Sequence, residues 1–409
     1  MTVSSTPSTP STPPAPPAPS TPVPVVLAGA RGHGRRHLRN LGRLAGQGLV
    51  RLAGICELTP LGPEELAEAA PPGGPVPTPE QSTDLSGLLE RTGAEIAVIC
   101  TPIHTHEELG LIAAAHGVHL LLEKPPTPSL AAFRRLCAQV TAAGVVCQVG
   151  FQSLGSAAVP YIRRLIAEGA IGEVRGLGAA GAWVREEAYW RRAPWSGHRT
   201  LDGRDVVDGV LTNPLAHAVA TALRIEGTDR AEEITDVELE LYRVNDIAAD
   251  DTSCARITTA RGGRIVTAVT LAAEQAGEPY VVVHGEHGRI TLWYKADRVL
   301  LERPGRDPET TEHPRTDLLA NLIAHLREGE PLLVPLERTG AFTRIVEAVR
   351  TAPEPVPLPP DAWHVAPGEQ SPRRVIPGID ELTARGAGEL ALYAELGVPW
   401  AGYPGRAPR

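Results

Sequence analysis

The chain has 409 residues and a net charge of −9, with 42% hydrophobic and 21% charged residues. This balance is typical of a soluble globular protein, and the length favours two domains over one. The acidic net charge argues against a nucleic-acid partner. No apolar run approaches the roughly 20 residues of a membrane-spanning helix, so we expect no membrane association.

The five cysteines lack the spacing of a metal site and mostly lie in apolar runs. We therefore expect buried free thiols, no metal and a cytoplasmic, reducing location. Residues 1–22 are almost all Pro, Ser, Thr and Ala. They lack the charged and apolar regions of a signal peptide, and we expect a disordered tail without an assigned function.

The first ordered element is an apolar strand at 23–28, which runs into a glycine-rich turn and then a helix at about 35–45. Strand, glycine turn and helix form the context of a dinucleotide-binding loop, whose backbone approaches the pyrophosphate at the helix N-terminus. Arg31 replaces the second glycine of the usual pattern, and Gly32 could supply the close approach instead. The predicted cofactor-binding turn comprises Gly29, Ala30, Arg31, Gly32, His33 and Gly34.

The next strand, at 49–56, ends at Glu57, which lies 23 residues after Gly34. This is close to the usual distance of about 20 residues to an acid that binds the adenine ribose. A carboxylate there repels the 2′-phosphate of NADP and favours NAD. Arg31 and Arg35 could offset that repulsion, so NADP is not excluded. The alternative for Glu57 is an ordinary acid at a helix start.

Further strands at 94–100, 119–122 and 145–150 alternate with helices at about 85–91, 106–116 and 129–143. This alternation predicts a doubly wound parallel sheet over residues 23–150. Ligands bind beyond the carboxyl ends of such strands. Lys124 is released at one of these ends and is followed by Pro125, which cannot continue the strand. It is thus either aimed at a ligand or half of a surface ion pair with Glu123.

These motifs resemble those of the Gfo/Idh/MocA oxidoreductase family. The residues that carry the resemblance are the glycine turn, Thr101-Pro102 with His106, Glu123-Lys124-Pro125, and Gly150-Phe151-Gln152. It implies an α/β fold, with an N-terminal Rossmann domain and a C-terminal α+β domain built on a large, mostly antiparallel sheet. One sheet face covers the nicotinamide, and the other often builds a homo-oligomer interface.

The resemblance also assigns roles in cofactor binding. It places Glu123 near the nicotinamide, where it helps to position Lys124, and His106 near the nicotinamide ribose. Thr101 and Pro102 belong to the same cofactor-binding group. The alternative for Thr101 and His106 is capping of the helix after Pro102.

The second domain is expected at 151–360, with helices at about 156–168, 317–327 and 337–349. Between them lie strands at 173–185, 234–244, 254–259, 264–271, 280–284, 289–294 and 299–302. The alternating strands suit an antiparallel sheet, through which we expect a homo-oligomer. Residues 361–409 are rich in Pro and Gly and are expected to wrap the surface, with one helix near 381–396.

A second chemical motif is expected on a helix that begins at Asp208 and runs to about Leu223. The family usually carries D-x-G-x-H here, and this chain has Asn213 and His217 in the Asp and His positions. Such a pair lies on one helix face. Because Asn cannot act as a base, the proton must pass through His217 or Lys124, with His217 preferred for its near-neutral pKa. Asp208 could supply the missing carboxylate, and a purely structural His217 is the alternative.

The loop at 186–199 is rich in Trp, Tyr and Arg. Aromatic faces stack on sugar rings and Arg pairs with anionic groups. We expect Trp190, Arg191 and Trp195 to bind a carbohydrate-like substrate together with Gln152, Lys124, Asn213 and His217. A lid or a dimer contact is the alternative for this loop.

Three functions are consistent with these motifs. The first is an NAD(P)-dependent oxidoreductase acting on a secondary alcohol or ketone of a sugar or polyol, with Lys124, His217 and Asn213 as catalytic residues. The second is an NAD-dependent glycosidase or lyase that oxidises its substrate transiently. The third is a sensor that binds the nucleotide without catalysis.

Overall fold

The protein is described by a computed structural model that covers residues 21–402. The predicted tail at 1–22 falls almost wholly outside this range. The first domain contains β1 (Val23–Ala28), α1 (Gly34–Gly46), β2 (Val50–Cys56), α2 (Pro63–Ala67), β3 (Glu80–Ser82), α3 (Leu85–Thr92), β4 (Ile96–Ile99), α4 (His106–Ala115), β5 (His119–Leu122), α5 (Leu130–Ala142) and β6 (Cys147–Val149).

The six strands of the first domain form one parallel sheet in the order β3-β2-β1-β4-β5-β6. The apolar strands β1, β4 and β5 are almost completely buried because helices cover both faces. This confirms the predicted doubly wound fold. Neither β3 nor α2 is predicted from the sequence, since β3 is a short polar edge strand and α2 a single turn of helix.

The second part of the chain begins with α6 and contains a much larger sheet. Its elements are α6 (Ala158–Ala167), β7 (Val174–Ala182), α7 (Glu187–Trp190), β8 (Thr200–Leu201), β9 (Arg204–Asp205), α8 (Ala216–Glu226), β10 (Ile234–Arg243), β11 (Thr252–Thr259), β12 (Arg264–Thr270), β13 (Tyr280–Gly285), β14 (Gly288–Trp293), β15 (Arg298–Glu302), β16 (Glu309–Glu312), α9 (Leu318–Glu328), α10 (Gly340–Thr351), β17 (Val356–Pro357), β18 (His364–Ala366), β19 (Arg373–Val375) and α11 (Ile379–Glu389).

Nine strands form this sheet in the order β16-β15-β14-β13-β7-β12-β11-β10-β17. Within the described part of this second sheet, only the β7–β12 and β10–β17 pairs are parallel, so the mostly antiparallel sheet is confirmed. One face packs on α8, and a continuous apolar core joins this face to the first domain. Among the described residues, no helix combines the length and apolar character that a membrane crossing requires.

The segment that contains α9 and α10 returns to the first domain. The Val149 amide donates a 2.9 Å hydrogen bond to the Val334 carbonyl. The buried Gln148 side chain donates to Leu318 O and to Asn321 Oδ1, each at 2.8 Å. Backbone contacts therefore tie the last strand of the Rossmann sheet to residues that lie far along the chain.

The other face of the large sheet is partly covered by α11 and the turns that follow it. This segment builds a second apolar cluster that includes Tyr242, Ala268, Ile379 and Tyr393. The sequence predicts a helix at 381–396, but α11 ends at Glu389 because Leu390 adopts a left-handed backbone conformation with φ 53°. The chain itself thus occupies the part of this face over β7, β12, β11 and β10.

Small residues in β7 allow this close packing. A side chain at Gly178 would collide with the carbonyl of Ala387 in α11. We expect Gly178→Ala to lower the free energy of unfolding by about 1–3 kcal/mol, because the helix must move away from the sheet. Urea denaturation measures this change.

The matched control is Gly388→Ala, since a Cβ there meets open space. This variant should be neutral or stabilising by up to about 1 kcal/mol, as Ala is the better helix former. Equal effects of the two substitutions would contradict the close contact between α11 and β7.

Candidate active site

The glycine turn lies at the carboxyl end of β1 and leads into α1. Gly29 has φ +81°, and a side chain there would collide with the Cys100 carbonyl on the neighbouring strand end. Gly32 also has a positive φ, but the space around it is open. No side chain of the described residues caps α1, and its first turn holds no acid. The turn therefore fits an anionic pyrophosphate at a helix N-terminus.

Glu57 lies beside this turn, as the spacing predicts. One carboxylate oxygen accepts a 3.0 Å hydrogen bond from the Ala30 amide, and the other accepts one from Leu58 N. Arg31 donates to Glu65 and to the carbonyls of Thr59 and Pro60. The Glu65 carboxylate on α2 thus engages Arg31, while Arg35 pairs with Glu68. Both arginines have carboxylate partners, and Glu57 faces the turn, an arrangement that favours NAD.

Glu123 is the buried centre of a small polar cluster at the exit of β5. Gln152 donates a 2.9 Å hydrogen bond to its Oε1, and the Lys124 amide donates to its Oε2 at 3.0 Å. His37 Nε2 lies 3.0 Å and His33 Nε2 lies 3.4 Å from the same Oε1. Burial alone would raise the pKa of Glu123, but the imidazoles of His33 and His37 beside it outweigh burial and hold that pKa well below its usual range.

His106 is buried and lies between the backbones of two turns. Its Nδ1 lies 2.8 Å from the Pro125 carbonyl, and its Nε2 lies 2.8 Å from the Thr101 carbonyl. With both ring nitrogens occupied, His106 shapes the cofactor side of the site through the backbone it holds. Thr101 likewise turns its hydroxyl to Thr105, at 2.6 Å. In the described structure no side chain caps α4, so these contacts hold the backbone at Thr101 and Pro125 and do not act as helix caps.

Lys124 connects the two domains. Its Nζ donates to the side-chain and backbone oxygens of Asn213, at 2.7 and 3.0 Å. Asn213 Nδ2 in turn donates to the buried Asp208 carboxylate at 2.6 Å, and that carboxylate also accepts from the Gly197 amide at 2.8 Å. Asp208 therefore supports Asn213 and does not meet Lys124 directly. Loss of hydration lowers the pKa of Lys124 from its ordinary value, although Glu123 and Asp208 oppose this effect.

The expected helix position of Asn213 is wrong. The helix begins at Ala216, and Asn213 lies in the turn before it. Pro214 disfavours helical backbone at the preceding residue, and the Asn213 amide closes a turn on Gly209 O instead. The side chain is still delivered to Lys124, but by this turn.

His217 lies in the first turn of α8 and in contact with aromatic rings. Phe151 meets it edge-on at 5.7 Å, and Tyr294 lies 6.4 Å away. Its Nδ1 is 3.1 Å from Ser153 Oγ, which accepts a 3.0 Å hydrogen bond from Thr221. Burial, and then the charge of Lys124, lower the pKa of His217 to about 3. The imidazole is therefore neutral at physiological pH.

The loop at 186–199 approaches the site through Arg192 instead of Arg191. The Arg191 side chain is 70% exposed and pairs with Glu187. Arg192 lies over the rings of Tyr189 and Trp195, at 3.7 and 4.7 Å, and reaches Asp208 at 3.4 Å. Trp190 packs against Gly197, so it supports the loop from inside.

Family models match both parts of the chain. Residues 23–151 match a family described as "Oxidoreductase family, NAD-binding Rossmann fold". Residues 159–291 match the Gfo/Idh/MocA C-terminal domain, and the two matches together cover more than half of the chain. The chain belongs to the Gfo/Idh/MocA family. Its first domain is thus an NAD-binding Rossmann domain.

Curated relatives match over shorter stretches. Scyllo-inositol 2-dehydrogenase (NAD(+)) from Bacillus subtilis is 36% identical over 92 residues, which is 22% of this chain and 27% of that protein. Levoglucosan dehydrogenase from Pseudarthrobacter phenanthrenivorans is 26% identical over 153 residues, or 37% and 38% of the two chains. The chain therefore aligns with well under half the length of these Gfo/Idh/MocA relatives.

Solved structures resemble the whole fold more broadly. The WlbA dehydrogenase from Bordetella pertussis, in complex with NADH and UDP-GlcNAcA, has a TM-score of 0.63 at 22% identity, covering 80% of this chain and 95% of that one. Levoglucosan dehydrogenase in complex with NADH has a TM-score of 0.65 at 20% identity, with coverage of 80% and 95%. At these identities, the likeness shows a shared fold.

Several residues of the site are not among those predicted from the sequence. His37 is the clearest, and its spacing of four residues from His33 at a helix start was an available signal. Arg192 differs from the predicted Arg191 by one position, which no spacing rule could decide in a loop. Ser153 and Tyr294 reach His217 from distant parts of the chain, and no local pattern marks them.

Glu57 generates a test of cofactor choice. We expect NADH to bind about tenfold or more tightly than NADPH, because the carboxylate repels a 2′-phosphate. Glu57→Gln should narrow this ratio mainly by improving NADPH binding. Fluorescence titration of both reduced cofactors measures the two dissociation constants.

The matched control is Glu64→Gln, which removes the same charge from the exposed surface of α2. It should leave the ratio unchanged. An equal shift in both variants would assign the preference to overall charge, and not to Glu57.

Proposed function

We propose that the protein is an NAD-dependent oxidoreductase that transfers a hydride between nicotinamide and a secondary alcohol or ketone of a sugar or polyol. The observation that carries this proposal is the hydrogen-bonded chain from Lys124 through Asn213 to Asp208. It holds an amine of lowered pKa at the carboxyl end of β5, where ligands of such sheets bind. The inositol and levoglucosan dehydrogenases among the relatives support the substrate class.

The residues of the first domain fit NAD. The glycine turn would hold the pyrophosphate, Glu57 the adenine ribose, and Glu123 would lie on the nicotinamide side. When bound, the cofactor supplies the hydride acceptor or donor. All remaining steps fall to side chains of the chain itself.

Lys124 is a better candidate than His217 for the base that takes the proton of the substrate hydroxyl. A neutral amine keeps two N–H donors, which match the two oxygens of Asn213, and leaves a lone pair for a substrate hydroxyl. Because burial lowers the pKa of Lys124, this neutral form is reached at lower pH than for a free lysine. A base in this position contributes about 10²–10⁴-fold to a rate.

His217 is better suited to orient the substrate. With a pKa of about 3, its imidazole is a weak base at neutral pH. Ser153 already accepts from Thr221, so its own hydroxyl is best used to donate to His217 Nδ1. This places the ring proton on Nε2, which could then donate to a substrate oxygen. The sequence-based preference for His217 over Lys124 is thereby reversed.

The proposal extends to the substrate surface, the cellular location and the oligomer. Arg192 and Trp195 supply a charged and an aromatic surface beside Asp208 for a carbohydrate-like ligand. All five cysteines are free, which supports a reducing, cytoplasmic location. A homo-oligomer that uses the large sheet would rely on β13–β16, because α11 covers the neighbouring strands.

Steady-state assays test the proposal. NADH formation should be found for one or more members of a panel of inositols, anhydrosugars and uronic acids. We expect Lys124→Met to lower kcat by about 10²-fold or more, with NADH affinity retained. His217→Asn should lower turnover less strongly.

The pH profile separates the two roles. Because deprotonated Lys124 is the active form, kcat/KM for oxidation should rise with pH through a pKa below the ordinary lysine value of about 10.4. Lys124→Arg should abolish this limb, and His217→Asn should leave its midpoint in place. Full turnover in Lys124→Met would contradict the assignment of Lys124 as the base.

Two other outcomes would redirect the function. Cleavage of an aryl glycoside with only catalytic amounts of NAD would favour transient oxidation followed by bond cleavage. Tight NAD binding without turnover on any panel member would favour a sensor.

A further inference from the structure

We propose that His33, His37 and Glu123 form a binding site for a divalent transition-metal ion, with Zn²⁺ as the ion that fits best. The ligand atoms of the three side chains all lie within 4.8 Å of one another. This site departs from the sequence-based expectation of no metal, which rests on the spacing of the cysteines.

Helix geometry explains why the two imidazoles converge. His33 immediately precedes α1, and His37 lies one turn into that helix. Side chains four residues apart share a helix face, and the two rings meet edge-on with centroids 5.9 Å apart. Glu123 faces them from the end of β5, where a Cβ at Gly150 would come within 2.8 Å of its Oε1.

The distances from the two imidazoles to Glu123 are close to those of a zinc site. Zinc binds histidine nitrogen and carboxylate oxygen at about 2.0–2.2 Å in a tetrahedron, which puts neighbouring ligand atoms about 3.3–3.5 Å apart. The two Nε2 atoms lie 3.4 Å (His33) and 3.0 Å (His37) from Glu123 Oε1. Small side-chain movements would therefore admit the ion.

Hydrogen bonding alone accounts poorly for His33. The Glu123 carboxylate already accepts from Gln152 and from the Lys124 amide. His37 adds a third donor, and His33 approaches the same oxygen at a distance beyond the ordinary hydrogen-bond range. A cation would satisfy both imidazoles and the carboxylate together, because each would offer it a lone pair.

The site is open on one side, as a metal needs for entry. His37 and Glu123 have side chains only 9% and 5% exposed, whereas the His33 side chain is 47% exposed. Two histidines and one glutamate leave a fourth position for water.

The ion and the dinucleotide would compete. His33 belongs to the glycine turn and Glu123 to the strand exit, which are two of the places that the proposed NAD site uses. We therefore expect Zn²⁺ to be a reversible inhibitor that NADH displaces. Only this consequence rests on the proposed function.

Calorimetric titration of tag-free, metal-free protein with ZnCl₂ tests the site. We expect one ion to bind per chain. His33→Ala should weaken binding about tenfold or more, because even the loss of a residue that only orients a metal ligand costs about that much. His33 is partly exposed, so this variant should keep the fold. His287→Ala, at an exposed histidine in the turn between β13 and β14, should bind like the unsubstituted protein.

A second readout reports coordination directly. Co²⁺ in place of Zn²⁺ should give the intense visible absorption of a four-coordinate ion, and His33→Ala should lose it. Equal Zn²⁺ affinity in His33→Ala and the unsubstituted protein, or a weak octahedral Co²⁺ spectrum, would overturn the site.

A separate titration tests the competition between Zn²⁺ and NADH. Saturating NADH should lower the apparent Zn²⁺ affinity, and an unchanged affinity would overturn the mutual exclusion. Failure of the metal-free protein to bind NADH would instead overturn the proposed function and leave the metal site standing.

Discussion

The hydrogen bonds from Lys124 to Asn213 are the interaction on which the site depends. They join the end of a Rossmann strand to a turn of the second domain, 89 residues later in the chain. An amine that has lost much of its hydration needs partners, and leaving a buried hydrogen-bonding group without its partner costs about 1–3 kcal/mol. The contact therefore links the two domains at the amine and satisfies two of its hydrogen-bond donors.

Each neighbour of this contact has a physical role. Asp208 is buried and holds the Asn213 amide, while the Gly197 amide and Arg192 hold Asp208. On the other side, Glu123 accepts from the Lys124 backbone and remains ionised among its donors. An Asn at position 213 thus does not break the site. The Asn213 side-chain amide lies between Lys124 and the Asp208 carboxylate and hydrogen-bonds to both. It thereby keeps a second negative charge from direct contact with the amine.

The sequence predicts the parts of the site that local patterns encode. Apolar strands, glycine spacing and the Glu123-Lys124-Pro125 exit are local, and they place Gly29, Glu57 and Lys124 where the structure has them. The errors arise where tertiary packing or backbone restrictions decide. Pro214 keeps Asn213 out of the helix, and two adjacent arginines exchange roles in an irregular loop. The cover that α11 forms over the sheet depends on Gly178 and Ala387, which no periodicity connects.

The protonation state of Lys124 is the central claim, and the composition of the chain makes it directly measurable. The sequence has only two lysines, Lys124 and Lys295. In protein labelled with ¹³C and ¹⁵N at lysine, Lys295→Arg leaves a single side-chain signal to follow by NMR as a function of pH. We predict that this signal titrates below the ordinary lysine value of about 10.4 and that Asn213→Ala changes its midpoint. A Lys124 signal that titrates at or above the ordinary value, with no response to Asn213→Ala, would rule out an amine of lowered pKa held by Asn213.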